Sequence, residues 1–476
     1  MIIESSPTNL DPRVGVDAQS ERIDQLIFDA LLTRDKHFNV QPGLAEKWDV
    51  PDPLTYVFHL RHGVKFHDGQ PLTSRDVKWT IDSLLQRKVR STRAATFRYV
   101  DHVDAPDDYT VVFHLKEPFA SLLWNLSEGA IGIVPYGSLD EVAQKPVGSG
   151  PFKFVRAEQD KEVVLVRNDG YWGEKVRLAR VRFTVVPDTT TRALELRKGS
   201  ADAVLNALTS DIVVALEKNS SLAVQRSPGA ILSYLSFNMR DPVLHDYRVR
   251  QAIACAIDRR PLIDYIWRGF AQPATNLIPV QSWAYNPNIT PLTYDPDKAR
   301  QILDTAGYAE HNGVRFHLTM KTSTEETTRL LAAVLQQQLR AVGIVLDIRT
   351  YEFATFLADV SSGAFQVYSL RWSGNEDPDI FDIAFHSHNF PPAGRNRGYY
   401  SNPQIDELID EARRETVQNT RRELYFKVQE ILAREVPYVN LWYFDNVLVH
   451  SRRTRNFVLS PSGNYNFLKT AEIVEQ

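Results

Sequence analysis

His386-Ser387-His388 brings two histidines within one residue of each other. Side chains at i and i+2 share a face of a strand but not of a helix. A metal would also ask for further ligands and outer-shell partners. The surrounding pattern reads as a helix end running into a loop, so no resident metal and no cofactor are expected. A few residues on, Pro391-Pro392 and Gly394 lead into Arg395-Asn396-Arg397-Gly398-Tyr399-Tyr400. Two guanidinium groups on such a loop suit bidentate capture of a carboxylate. Glu376 and Asp379 have the residue types of a glycosidase acid–base pair, but 59 acidic residues supply dozens of equivalent pairs. There is no Gly-x-Ser-x-Gly elbow, His-Glu-x-x-His, phosphate loop or clean dinucleotide fingerprint. Binding is favoured over bond breaking. A hydrolase remains the weaker alternative, told apart because it would fragment what it binds.

The elements that must position these groups alternate between helix and strand, as in a mixed α/β protein. Strands are predicted at Thr55–Leu60, Thr110–Leu115, Val163–Val166, Val181–Val186, Ile344–Ile348 and Val447–Val449. YVFHL and VVFHL look alike and suggest neighbours in one small antiparallel sheet. Thr73 caps a helix bearing Val77, Ile81, Leu84 and Leu85. Asp295-Pro296 starts another that Gly307 stops. Leu331, Leu335, Leu339 and Val342 form a stripe ended by Gly343, with a buried strand after it. Asn402-Pro403 opens a helix with Ile405, Leu408, Ile409 and Ala412. Thr420 and Glu423 read as a capping box for the next helix. Helix, glycine stop and strand recur around Gly199 and Asp202-Ala203-Val204, so two regions each carry α/β layers.

With 476 residues the chain exceeds one ordinary core. Its 43% hydrophobic and 24% charged residues are those of a globular protein, and 11% aromatics can furnish a cleft as well as a core. A net charge of -4 offers no field for nucleic acid. The basic run Arg87, Lys88, Arg90, Arg93 and Arg98 reads as a solvated loop. Cys255, the single cysteine, falls in an apolar stretch and reads as a buried, inert thiol. No apolar run has the ~18 residues of a membrane span. The first residues lack a basic region followed by an apolar one, and they begin abruptly on a strand, which suggests an export signal already trimmed.

Six stretches resemble the peptide/nickel family of extracytoplasmic solute-binding proteins that serve ABC-type importers. They are YVFHLRHGVKFHDGQPLTSRDVKWTIDSLL (56–85), GSGPFKF (148–154), NDGYW (168–172), RVRQAIACAIDR (248–259), YDPDKARQILDTAGY (294–308) and YSNPQIDELIDEA (400–412), in family order. Each also has a plain physical role: Asp68-Gly69 is a turn pair, Gly148 and Gly150 permit close backbone approach, and Tyr171-Trp172 packs a lobe.

The resemblance implies an α/β, two-lobed, periplasmic-binding-protein-like fold of type II with two hinge strands. Lobe one would hold 1–237 and 440–476, with an extra subdomain inserted at about 36–145, and lobe two 238–439. It implies a monomeric receptor, periplasmic or extracellular, with or without a lipid anchor. The receptor would close by a hinge on an oligopeptide or peptide-like solute and deliver it to an ABC-type permease. The same scaffold bearing a metal chelate or saccharide is the alternative, and a sensor or chaperone without a permease is a third class. Val16, Asp17 and Ala18 match one ligand-lining strip of the family, and Arg371, Trp372, Ser373, Gly374 and Asn375 match the other. Asn375 stands where relatives use an aspartate for a peptide's ammonium group, leaving Glu376 or Asp377 as substitutes. Asp377, before Pro378, also reads as a helix cap. Asp359 falls where dipeptide-specific relatives carry an arginine, which points to longer peptides or solutes without free termini. Arg397 completes the expected site.

Overall fold

The computed structural model describes residues 1–129 and 131–474. The chain divides into two compact units: unit 1 is Met1–Ser227, Arg414–Thr416 and Asn446–Gln476, and unit 2 is Pro228–Arg413 and Val417–Asp445. Two of the boundaries fall inside long strands, Leu222–Phe237 and Tyr438–Ser451.

Unit 1 contains two four-stranded sheets. In one, Ala45–Asp52, Thr55–Leu60, Thr110–Leu115 and Val100–Asp107 are neighbours in that order. Every pair is antiparallel, and the two look-alike strands lie side by side, Phe58 opposite Val111. Buried and half-exposed residues alternate along both central strands, as the two-residue period of a half-covered sheet requires. Tyr56, Phe58, Val111 and Phe113 form a core with Val77, Ile81 and Leu84 of the helix Ser74–Leu85. That helix starts at Thr73 in a capping box closed by Asp76. The opposite sheet face is left to solvent.

The other sheet orders Ile2–Ile3, Arg180–Val185, Glu162–Arg167 and Phe152–Glu158. Its core takes Ile23, Leu26 and Ile27 from the helix Ala18–Ile27, together with Tyr465 from the last part of the chain. The Tyr465 hydroxyl donates to Gln19 Oε1 at 2.7 Å, both groups buried.

Unit 2 carries the parallel strands Phe316–Ser323, Ile344–Tyr351 and Val367–Trp372. Helix Glu326–Arg340 connects the first two, with its Leu331, Leu335 and Leu339 stripe buried. Val367–Trp372 also pairs antiparallel with Leu232–Phe237. Cys255 is buried in the helix Tyr247–Ala256. One expected boundary is corrected. The last long helix runs Gln418–Glu435 with Val417 at its N-cap, so Thr420 lies inside it. The buried face of this helix begins at Arg421, within the expected box, and burial of that turn overrides local capping chemistry.

Candidate functional site

In unit 2, strand Val367–Trp372 ends on the candidate strip. The Arg371 side chain is half exposed and lies over two aromatic faces, 4.7 Å from the Phe444 ring and 5.3 Å from the Trp267 ring. Its nearest carboxylate is Glu325, at 3.9 Å. Trp372 points the other way, as strand alternation demands. It is 5% exposed and belongs to the core of unit 2, stacked on Tyr234 at 6.1 Å. Ser373 and Gly374 are exposed at the strand's end.

The turn that follows holds itself in place. Asn375 is fully buried and its amide donates to the Leu277 carbonyl at 2.7 Å. Glu376 and Asp377 are also buried, and Asp377 accepts from the Asp379 backbone N–H at 2.9 Å, just ahead of the helix Ile380–Phe385. Asp379 receives Arg413 at 2.6 Å. Burial pushes its carboxyl up to about 6 against the pull of that arginine. Asp359 accepts from Lys321 Nζ at 2.6 Å.

The Arg395–Tyr400 segment is fastened to the end of Leu222–Phe237. The Met239 N–H donates to the Gly398 carbonyl at 2.8 Å. A Cβ on Gly398 would come within 2.9 Å of the Phe237 carbonyl, so only glycine allows the approach. Asn396 is buried and bonds the carbonyls of His386 and Tyr400. Arg397, between these two anchors, is only half buried, and among the described residues no carboxylate pairs with it. Its charge acts on three phenols, Tyr234, Tyr368 and Tyr438, whose rings are at most 6% exposed. Burial raises all three phenol pKa values and the guanidinium opposes the rise. The result is a cation near a buried aromatic cluster with no carboxylate partner among the described residues, which strengthens its hold on any arriving anion.

A cavity of about 330 Å³ also opens in unit 2, lined by Thr275, Asn276, Phe385, Gln429, Tyr438 and Asn440 among others. It shares Tyr438 with the phenol cluster but includes neither Arg397 nor residues 371–377.

His386 and His388 do come together, with rings 3.7 Å apart. His388 Nε2 lies 3.3 Å from Asp382. Asp382 is already occupied by Arg413 at 3.2 Å and Asn389 at 3.0 Å. His386 Nδ1 accepts the His388 backbone N–H at 3.2 Å. Burial lowers the His388 pKa.

In unit 1, Val16 is 55% exposed and Ala18 is exposed at the start of its helix. Asp17 is the N-cap. It accepts from the backbone N–H of Gln19 at 3.1 Å, of Ser20 at 3.0 Å and of Thr8 at 3.1 Å. Burial works against its charge, but the hydrogen bonds from Ser20 and Thr8 prevail and hold the pKa below the ordinary carboxylate value. Asp17 is thus engaged by the fold.

Sequence reasoning missed the hub on which the unit 1 motifs converge. Asp29 is buried and accepts from Ser149 Oγ at 2.9 Å, Tyr171 OH at 3.1 Å and Trp172 Nε1 at 2.7 Å. Gly148 and Gly150 pass so close to the Ile27 carbonyl that a Cβ would meet it at 2.0 and 2.7 Å. His67 bridges the same segment, Nε2 to the Gly150 carbonyl at 3.0 Å and Nδ1 to the Gly148 N–H at 3.3 Å. Burial holds its imidazole at about 4. The donors Ser149, Tyr171 and Trp172 belong to recognised motifs, but their common acceptor lies more than a hundred residues away in none of them, so no local pattern pointed to it. The phenol cluster was missed as well, because its members come from three distant segments.

Three comparisons with known proteins bear on this arrangement. Residues 39–391 match the family model of bacterial extracellular solute-binding proteins, family 5 middle. Among curated relatives, the glutathione-binding protein GsiB of Pectobacterium atrosepticum is 30% identical, over 99% of this chain and 93% of its own length. Di/tripeptide-binding protein 1 of Pseudomonas aeruginosa is 29% identical, over 98% of this chain and 93% of its own. Among solved structures, the periplasmic binding protein DppA of Helicobacter pylori in complex with the peptide STSA superposes with a TM-score of 0.77 at 30% identity, covering 100% of this chain and 97% of that one.

Proposed function

The chain belongs to the bacterial extracellular solute-binding proteins of family 5, and from that premise we propose that it is an extracytoplasmic receptor for an oligopeptide or peptide-like solute, which it hands unchanged to an ABC-type permease. The relatives named above are receptors for peptides or glutathione, which supports a solute with peptide bonds and at least one carboxylate. The observation that carries this reading is Arg397, a half-buried guanidinium that pairs with no carboxylate among the described residues and whose charge acts on three buried phenols. An enclosed peptide carboxylate needs an opposite charge, and Arg397 supplies one. The exposed Arg371, Ser373 and Gly374 at the strand end offer main-chain and guanidinium contacts to an extended chain.

Asp359 is paired with Lys321, and Asn375 is an uncharged, fully buried amide, so neither offers a free charged anchor for a dipeptide's ends. This supports solutes longer than a dipeptide, held mainly through backbone. The receptor works outside the cytoplasmic membrane, free or lipid-anchored, as a monomer. Native mass spectrometry of freshly purified protein, followed by calorimetry with the recovered solute, tests the proposal. Release of an intact peptide that rebinds supports it. Recovery of cleaved fragments, or of a solute lacking any carboxylate or amide, would overturn it.

A further inference from the structure

We propose that the solvent face of the sheet around Thr110–Leu115 binds one divalent transition-metal ion of the zinc, nickel or copper class through His102, Asp104 and His114. No resident metal was expected here, because these residues become neighbours only when Val100–Asp107 pairs with Thr110–Leu115. His102 and His114 are then direct cross-strand partners, and Asp104, two residues along, lies on the same outward face.

The spacing is that of ligands and not of an ion pair. Asp104 Oδ2 lies 3.6 Å from His102 Nε2 and 3.4 Å from His114 Nε2. Both exceed the roughly 2.7–3.2 Å of an N–H···O bond, so the carboxylate closes on neither ring. Donor atoms around a tetrahedral ion with bonds of about 2.0–2.1 Å stand roughly 3.3 Å apart. All three ligand atoms lie within 4.8 Å of one another. The imidazoles are stacked, 4.4 Å between centroids and 16° between planes, so both present Nε2 to the same side.

A second observation concerns the atom behind the ligand. His102 Nδ1 lies 2.9 Å from Asp101 Oδ2. An Nδ1–H held by a carboxylate leaves the lone pair on Nε2, the nitrogen that faces Asp104, and this is the outer-shell arrangement common to metal-binding histidines. It exists because of a register shift. Between Val100 and His102 one extra residue, Asp101, enters the strand. The bulge lets Val100 and Val103 both point inward while Asp101 and His102 stay outside together. Two imidazoles and one carboxylate select a borderline ion over calcium or magnesium, and three protein ligands leave a position for water. The cluster Asp382, His386 and His388 is the other metal-capable group among the described residues. It is less suited, because Arg413 and Asn389 already occupy its carboxylate.

Calorimetric titration of the full chain with zinc and with nickel salts tests the proposal, using His114→Ala, Asp101→Asn and His388→Ala. One ion per chain is expected. His114→Ala should weaken binding at least ~100-fold, Asp101→Asn by about 10- to 100-fold, and His388→Ala should leave it unchanged. The ion should also raise the melting temperature of the parent protein but not of His114→Ala. Should His114→Ala fail to fold, His102→Gln on the same open face makes the same test. No binding by the parent protein, binding undiminished in the variant at His114 or His102, or loss of binding in His388→Ala would each overturn the proposal.

Discussion

Asp29 in unit 1 and Arg397 in unit 2 are both partly or wholly buried charges beside aromatic side chains, yet they are opposites. Asp29 receives three donors, from Ser149, Tyr171 and Trp172. The charge of Arg397 acts on three phenols and pairs with no carboxylate among the described residues. A buried charge without compensation is costly, so a fold that retains one while saturating the other separates scaffold from function. The motifs that most resemble the family belong to the saturated kind. The group most suited to hold solute belongs to the other.

Breaking the saturated side should produce the largest effect. Asp29→Ala leaves three donors without their acceptor, at roughly 1–3 kcal/mol for each one left unsatisfied, offset in part by relief of a buried charge. A loss on the order of 3 kcal/mol in denaturant unfolding is expected, with solute affinity intact in the folded fraction. A stable variant with weakened affinity would instead make Asp29 a solute contact and erase the contrast. Arg397→Gln is the converse test. It should leave the melting temperature near that of the parent and weaken binding of a peptide carboxylate by about 10- to 150-fold, the value of one charge-assisted hydrogen bond. A C-terminally amidated peptide should show little difference between the two proteins in calorimetry.

His67 sharpens the comparison through pH. Its folded-state value of about 4 lies below the ordinary 6.5. The unfolded chain therefore binds more protons between those values, and stability is retained above pH 6.5 and lost as pH falls toward 4. The contribution lost between pH 7 and 4.5 is about 2 kcal/mol. In His67→Gln that part of the acid sensitivity should vanish, seen as a shrinking stability difference from the parent on acidification. An unchanged acid limb would mean that His67 is protonated in the fold. The smallest effect belongs to Asp17→Ala. Losing an N-cap costs about 1 kcal/mol, and solute affinity should not move. A large loss of affinity would return Asp17 to the binding strip.

Much of the scaffold was legible because its signals are local. Thr55–Leu60 and Thr110–Leu115 announce themselves by alternation and appear with those bounds. Thr73 and Asp295 cap the helices expected of them. The site was less legible, since what matters there is which charges find partners. Asn375 falls in the expected ligand strip, where relatives carry an aspartate, but is buried and donates to the Leu277 carbonyl. Trp372 sits one residue from the exposed Arg371 and is a core residue by strand alternation. The pairing of His102 with His114 depends on a bulge and a register that no local pattern encodes.

The hydrogen bond from Tyr465 to Gln19 joins residues 446 positions apart. Closing so long a loop is entropically slow to reward. During synthesis the helix Ala18–Ile27 is made before unit 2, and its buried partner Tyr465 after it. Unit 2 lies wholly between the two, so it can acquire its core during synthesis while unit 1 waits for the final segment. The order of segments along the chain is therefore not the order in which the cores close: the unit that contributes residues 18–27 is completed only when residue 465 arrives.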